Sequence, residues 1–208
     1  LAAKDPAQEF DLSVRSVLRA LQDFKAPLCV HLSTIDIYPD HTNTAANTES
    51  ELIDAARLSP YGFHKYTAEQ IVRFYAPDWL IFRMGGFVGS NLWKNSIYDL
   101  LKLKPVRVNP DSEYQYLNKK DLARMILDLA ERGVRKEIVN ICGRGTVSLR
   151  TVAGWIPGCP FPAGADALPR ETYEVNLDKL GRWFDVPKTA DTIRAFVQDV
   201  LSGKEKIR

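Results

Sequence analysis

The chain has only three cysteines among its 208 residues, and Cys29, Cys142 and Cys159 lie far apart. An odd, scattered set makes neither a disulfide framework nor a CxxC metal site, so reduced core thiols in a cytoplasmic protein are expected. No apolar stretch approaches the roughly 20 residues that span a bilayer, so no membrane partner is expected. Dense basic runs are also missing: 28 Lys and Arg face 26 Asp and Glu, giving a net charge of +2. Nucleic-acid binding needs a concentrated basic face and is not expected either. There is no His/Cys/Asp/Glu cluster with metal-ligand spacing, no GxSxG nucleophile elbow, and no repeat or low-complexity tract. The chain opens on Leu1-Ala2-Ala3, without an initiator Met or a signal peptide, and reads as if it begins in the middle of something.

What remains is an ordinary globular composition, 45% hydrophobic and 26% charged, long enough for one large domain or one domain with a smaller lobe. Phe10, Val14, Val17, Leu18 and Leu21 recur at helical spacing and predict an amphipathic helix over 6–24. Pro27 then introduces the apolar run Leu28–Leu32, suited to a strand buried on both faces. Residues 39–58 are polar and predict a surface loop. Ser59-Pro60 is a good capping pair for a helix to about Tyr75, and Trp79–Phe82 predicts a second buried strand. Further helices are expected at 92–102, 121–132, 148–155 and 189–202, with a short strand at Ile138–Ile141. Pro157, Pro160, Pro162 and Pro169 mark an irregular stretch before the last helix. Strands alternating with helices imply α/β architecture and a parallel sheet, in which ligands sit beyond the carboxyl ends of the strands.

Two such ends carry chemistry. Ser33-Thr34 follows the first strand, offering hydroxyls to a substrate oxygen, and Arg83-Met84-Gly85-Gly86-Phe87-Val88-Gly89 follows the second. Tyr61 and Lys65 stand four residues apart at the start of a helix, which stacks them on one face. A cation beside a phenol favours the phenolate, so a lowered Tyr61 pKa is expected, fit for proton exchange with a substrate hydroxyl. A bare YxxxK also describes an ordinary surface pair, and only its context lifts it above that. His64 faces away from Tyr61 by helical geometry, His31 reads as a packed strand residue, and Asp36 reads as a turn-capping carboxylate or a local acid.

Taken in order, these segments resemble the extended short-chain dehydrogenase/reductase family, the NAD-dependent epimerase/dehydratase group. Leu1-Ala2-Ala3 resembles its H-x-A-A segment, and Leu32-Ser33-Thr34-Ile35-Asp36-Ile37-Tyr38 its S-S/T-x-x-V-Y-G strand end, with Pro39 in place of the usual Gly. Ser59-Pro60-Tyr61-Gly62-Phe63-His64-Lys65 with Glu69 matches S-x-Y-x-x-x-K-x-x-x-E, and Arg83 to Gly89 resembles R-x-x-N-V-Y-G. Asp121-Leu122-Ala123 and Val139-Asn140-Ile141-Cys142-Gly143 resemble two later segments. The resemblance implies the C-terminal part of a Rossmann-type doubly wound parallel sheet with a small interleaved substrate lobe. It divides the chain into 1–89 and 121–143 of the dinucleotide-binding domain, a substrate-lobe segment at 90–120, and a C-terminal lobe at 144–208.

By the same resemblance Tyr61 is the catalytic acid/base, Thr34 its hydroxyl partner, and Lys65 the holder of the nicotinamide ribose. Gly85 and Gly86 line the nicotinamide end of NAD or NADP, and Ser33, Asp36, Phe87 and Trp93 line the substrate pocket. A homodimer through the helices near 6–24 and 59–75 is implied too. The family's glycine-rich phosphate loop is absent from these residues. Gly86 replaces an Asn, and Tyr114 stands where an Arg often contacts nucleotide phosphates, which argues against a nucleoside-diphosphate sugar. Ile35-Asp36 replaces the Asp-Glu of the 4,6-dehydratases. The expected function is NAD(P)-dependent oxidoreduction or epimerisation of a hydroxyl/carbonyl substrate, a sugar or sugar derivative among the options. The competing expectation is a non-catalytic relative that binds a nucleotide or a protein as sensor or scaffold.

Overall fold

The computed structural model describes residues 5–159 and 161–208; Leu1-Ala2-Ala3-Lys4 and Pro160 lie outside them. In chain order, helix α1 (6–23) leads to strand β1 (Cys29–Thr34), and helix α2 (Pro60–Tyr75) to β2 (Trp79–Met84) and the short β3 (Gly86–Val88). Helix α3 (Ser96–Leu101), strands β4 (Glu113–Tyr114) and β5 (Tyr116–Asn118), and helix α4 (Lys119–Glu131) precede β6 (Glu137–Ile141). After it come β7 (Val147–Ser148), helix α5 (Leu149–Ala153), β8 (Thr172–Tyr173), helix α6 (Asp178–Gly181) and helix α7 (Thr189–Leu201).

The expected parallel sheet is present, in the order β1-β2-β6. Its register explains where each side chain goes, because paired residues of neighbouring strands project from the same face. Val30 and Leu32 pair with Leu80 and Phe82 on one face. There α4 covers β2 and β6 through Met125 and Leu129, while Val30 and Leu32 stay 39% and 45% exposed. On the other face Ile81 packs with Val72 of α2, with Ala76 just after it and, at the margin, with Val17 and Leu21 of α1. A separate apolar cluster joins Val88, Ile97, Leu100, Tyr116, Val152, Ile193 and Phe196, and so packs α3, α5 and α7 together. Cys142 is buried, Cys29 and Cys159 are half-buried, and all three are free thiols.

Helix ends follow their local chemistry. The Ser59 hydroxyl accepts from Gly62 N–H at 3.1 Å and Pro60 takes the first helical position, which fixes the start of α2. Asp5 caps α1 in the same way, accepting from Gln8 N–H at 2.9 Å. The middle of α1, Asp11–Arg15, is wound as a π-helix, a widening no periodicity announces. The helix expected over 92–102 begins only at Ser96, because Asn95 accepts from Tyr98 N–H at 2.9 Å and holds a φ of 126° that ends any helix before it. Strands β1 and β2 run two residues past their expected ends, since the polar Ser33 and Arg83 are buried in the sheet.

Candidate active site

The carboxyl end of β1 and the first turn of α2 are brought together by one close approach. A Cβ at Gly62 would lie 2.4 Å from the Asp36 carbonyl oxygen, so only glycine lets the start of α2 rest on the turn that follows β1. That turn is set by Thr34, whose hydroxyl donates to Asp36 Oδ2 at 2.8 Å and accepts from Asp36 N–H at 3.2 Å. Tyr61 is consequently held near Thr34 and Asp36, with 37% of its surface exposed. Lys65, one turn further along, donates from Nζ to the Leu32 carbonyl at 2.7 Å, which ties the helix to the strand just before its end.

The electrostatics differ from the expected phenolate. Burial pushes the Tyr61 phenol up, and the Asp36 and Glu9 carboxylates push it further, with only the Thr34 hydroxyl acting against them. Desolvation pulls the Lys65 ammonium down, opposed by Glu69 and Glu9. The lowered pKa expected from the Tyr61–Lys65 spacing is therefore corrected: the Lys65 ammonium is turned to the Leu32 carbonyl, burial and two nearby carboxylates set the shift, and Tyr61 carries its proton at neutral pH. Glu9 gave no signal in the sequence, where a Glu in a first helical turn looks solvent-facing. It is buried, and it meets His64 Nδ1 on α2, with Phe10 edge-on to the imidazole at 5.2 Å. His64 thus sits in the contact between α1 and α2.

Beneath the site runs a polar chain that the sheet register assembles. Ser33, Arg83 and Asn140 are successive partners across β1, β2 and β6, so all three project toward α2. The Ser33 hydroxyl donates to Glu69 of α2, and Arg83 binds the same carboxylate through Nε at 3.2 Å and Nη2 at 2.9 Å. Arg83 Nη1 also donates to the Tyr38 hydroxyl at 3.0 Å, which sits 2.8 Å from Asn140 Oδ1. Burial carries the Tyr38 phenol up to about 12 despite the Arg83 charge. Ser33 is 2% exposed with its hydroxyl engaged, so the structure puts it in this internal chain and not on the pocket wall.

The segment after β2 behaves in two ways. A Cβ at Gly85 would meet Cys142 Sγ at 2.5 Å, and one at Gly86 would meet the Tyr116 ring at 2.4 Å. Their N–H groups donate to the Ile141 and Gln115 carbonyls. These glycines thus answer to internal packing first. From Gly86 onward the chain lines a cavity of about 450 Å3 with Phe87, Trp93 and Lys119 on its wall. Gly86 lies two residues past Met84, the register partner of Thr34, so this cavity opens at the same end of the sheet. Tyr114 hydrogen-bonds the Glu171 carboxylate at 2.6 Å, which leaves it unsuited to a phosphate. Among the described residues no group of three or more His, Cys, Asp or Glu could hold a metal ion. Among the described residues no helix is long and apolar enough to cross a membrane.

Solved structures of known proteins share this fold. The UDP-glucose 4-epimerase of Thermotoga maritima, solved with UDP-glucose, superposes with a TM-score of 0.71 at 16% identity over 98% of this chain and 74% of its own. A UDP-galactose 4-epimerase gives a TM-score of 0.75 at 17% identity, covering 95% of this chain and 72% of that one. The dTDP-glucose 4,6-dehydratase of Bacillus anthracis, in complex with NAD, gives 0.75 at 18% identity, covering 94% and 69%. These likenesses establish the α/β fold. No curated protein matches the chain. The sequence model described as the NAD dependent epimerase/dehydratase family matches residues 4–142, two thirds of the chain. The chain belongs to the NAD-dependent epimerase/dehydratase family.

Proposed function

We propose that this chain carries the proton-transfer half of an NAD(P)-dependent oxidoreductase or epimerase acting on a hydroxyl/carbonyl substrate. The observation that carries this reading is the meeting of Thr34, Tyr61 and Lys65 at the carboxyl end of β1, secured by Gly62 and by the bond from Lys65 to Leu32. The residues fit the nicotinamide-ribose end of the cofactor. Lys65 has engaged one ammonium proton on Leu32 and keeps two donors for ribose hydroxyls. When bound, the nicotinamide supplies or takes the hydride.

The protein's own residues handle position and the proton. Thr34 orients the reacting oxygen, and Tyr61, protonated at neutral pH, donates to that oxygen as a carbonyl is reduced. In the oxidative direction the phenolate left by that donation takes the proton back. Asp36 holds the Thr34 hydroxyl in place, and the Arg83–Glu69 pair holds α2 against the sheet. Phe87 and Trp93 form the substrate side. The division of the chain at 89/90, 120/121 and 143/144 is part of the same proposal, supported by the cluster that joins Ile97 and Leu100 to Val152 and Ile193. So is a homodimer through α1 and α2, supported by the exposed Leu12, Phe63 and Phe74 on these helices. Light scattering that finds a monomer at micromolar concentration contradicts the dimer.

The competing reading, a non-catalytic binder, draws on the raised phenol of Tyr61. Substituting Tyr61→Phe separates the two. Carbonyl compounds from UDP-4-keto-sugars to aromatic keto acids are offered with NADH and NADPH, and nucleotide oxidation is followed. The enzyme reading expects turnover to fall about 10²–10⁴-fold in the variant, as for loss of a general acid, with cofactor affinity within twofold. Cofactor binding without turnover of any compound by the unaltered protein supports the binder.

A further inference from the structure

The cavity beyond β3 has a chemistry of its own. Its floor is apolar, with Val88 and Leu92 buried, while Phe87 and Trp93 present aromatic surface at 42% and 59% exposure. Two cations border it. Lys94 Nζ lies 5.0 Å from the centre of the Trp93 ring. The stem of Lys119 lies flat over Gly89, where a Cβ would meet its Cγ at 2.6 Å and where φ is +142°. Neither lysine has a carboxylate partner among the described residues, and the nearby acids are taken. Asp121 pairs with Arg124 at 3.3 Å, and Glu205 serves Ser90 and Lys120.

The loop around the cavity is built and not slack. Asn95 donates from Nδ2 to the Phe87 carbonyl at 3.0 Å across it, caps α3 with its oxygen, and accepts a φ of 126° to do both. Asn91 also holds a positive φ, 59°. Strained backbone that persists in this way gathers at ligand sites. At about 450 Å3 the space falls toward the lower part of the roughly 300–1,000 Å3 range of small-molecule sites.

Unpaired cations beside exposed aromatic faces call for a ligand with the complementary parts. Sugar hydroxyls would find few side-chain partners here, and a buried hydroxyl without one is costly. We propose that the substrate seated here is a small aromatic acid, its flat apolar body between Phe87 and Trp93 and its anionic group at Lys94 and Lys119. Calling it the substrate rests on the function proposed above; that it binds does not.

The test is titration of the purified protein with 8-anilinonaphthalene-1-sulfonate, followed by its fluorescence, and its displacement by cinnamate, cinnamamide and UDP-glucose. Cinnamate should displace the dye at least tenfold more effectively than the uncharged amide or UDP-glucose. Trp93→Ala should weaken dye binding at least tenfold. Lys94→Gln with Lys119→Gln should weaken it threefold to tenfold at low salt and flatten its salt dependence, while Tyr61→Phe leaves it unchanged. Equal displacement by cinnamate and cinnamamide, stronger displacement by UDP-glucose, or indifference to Trp93→Ala would overturn the proposal. Where these binding results come out as expected but Tyr61→Phe keeps full turnover, the proton-transfer reading fails and the pocket assignment stands.

Discussion

Two polar regions of this molecule, one beneath the sheet and one beyond β3, are built on opposite terms. In the first, Ser33, Glu69, Arg83, Tyr38 and Asn140 are buried and each polar group meets another. In the second, Lys94 and Lys119 face water and aromatic rings with no counter-charge among the described residues. A closed network fixes helices on strands, whereas an open one leaves its charge for something that arrives later. Glu69 ties the helix that carries Tyr61 and Lys65 to the first of these regions.

The sharpest way to break this contrast is to remove one partner of the closed network. Glu69 is fully buried, and Glu69→Ala leaves the Arg83 guanidinium charged and unpaired. The expected loss is about 3–5 kcal/mol of stability by urea denaturation. Next comes His31, whose Nε2 has no partner. Burial, with a smaller contribution from Lys65, pulls its pKa from 6.5 to about 4. Above pH 6.5 the ring is neutral in both states and adds no pH dependence; between 6.5 and 4 the unfolded chain binds the proton first, so stability falls as the pH falls. That loss reaches about 3 kcal/mol, since each tenfold drop in proton affinity is worth about 1.4 kcal/mol. It should disappear from the pH profile of unfolding in His31→Asn.

A third substitution tests the junction itself. Gly62→Ala drives a methyl into the Asp36 carbonyl and should lose about 1–3 kcal/mol, as overpacking does. Turnover should fall further than stability explains, because Tyr61 moves with the helix start. The smallest effect belongs to the open region. Lys94→Ala and Lys119→Ala should each change the unfolding free energy by less than about 0.5 kcal/mol, and a larger loss would mean that these lysines serve the fold.

Much of the sheet was legible because β1, β2 and their helices carry buried runs and strong caps: Pro27 before Leu28, and Ser59-Pro60 before Tyr61. The strand ends were read short at Leu32 and Phe82, since Ser33 and Arg83 look like loop residues until Glu69 is placed opposite them. The five short strands, at two or three residues, are below the length at which alternation shows. Thr34, Tyr61 and Lys65 could be picked out from a strand end and a helical spacing. The sign of the Tyr61 shift could not, because Glu9 lies 52 positions away in the chain and reaches the phenol only when α1 packs on α2.

Central to the proposed chemistry is a Tyr61 that keeps its proton until a substrate oxygen takes it. An ultraviolet pH titration of the protein, minus the same titration of Tyr61→Phe, isolates this phenol from the other tyrosines. Ionisation above the usual value of about 10 is the expected result; ionisation below it would mean that the Lys65 ammonium prevails over burial, Asp36 and Glu9, and would contradict that role.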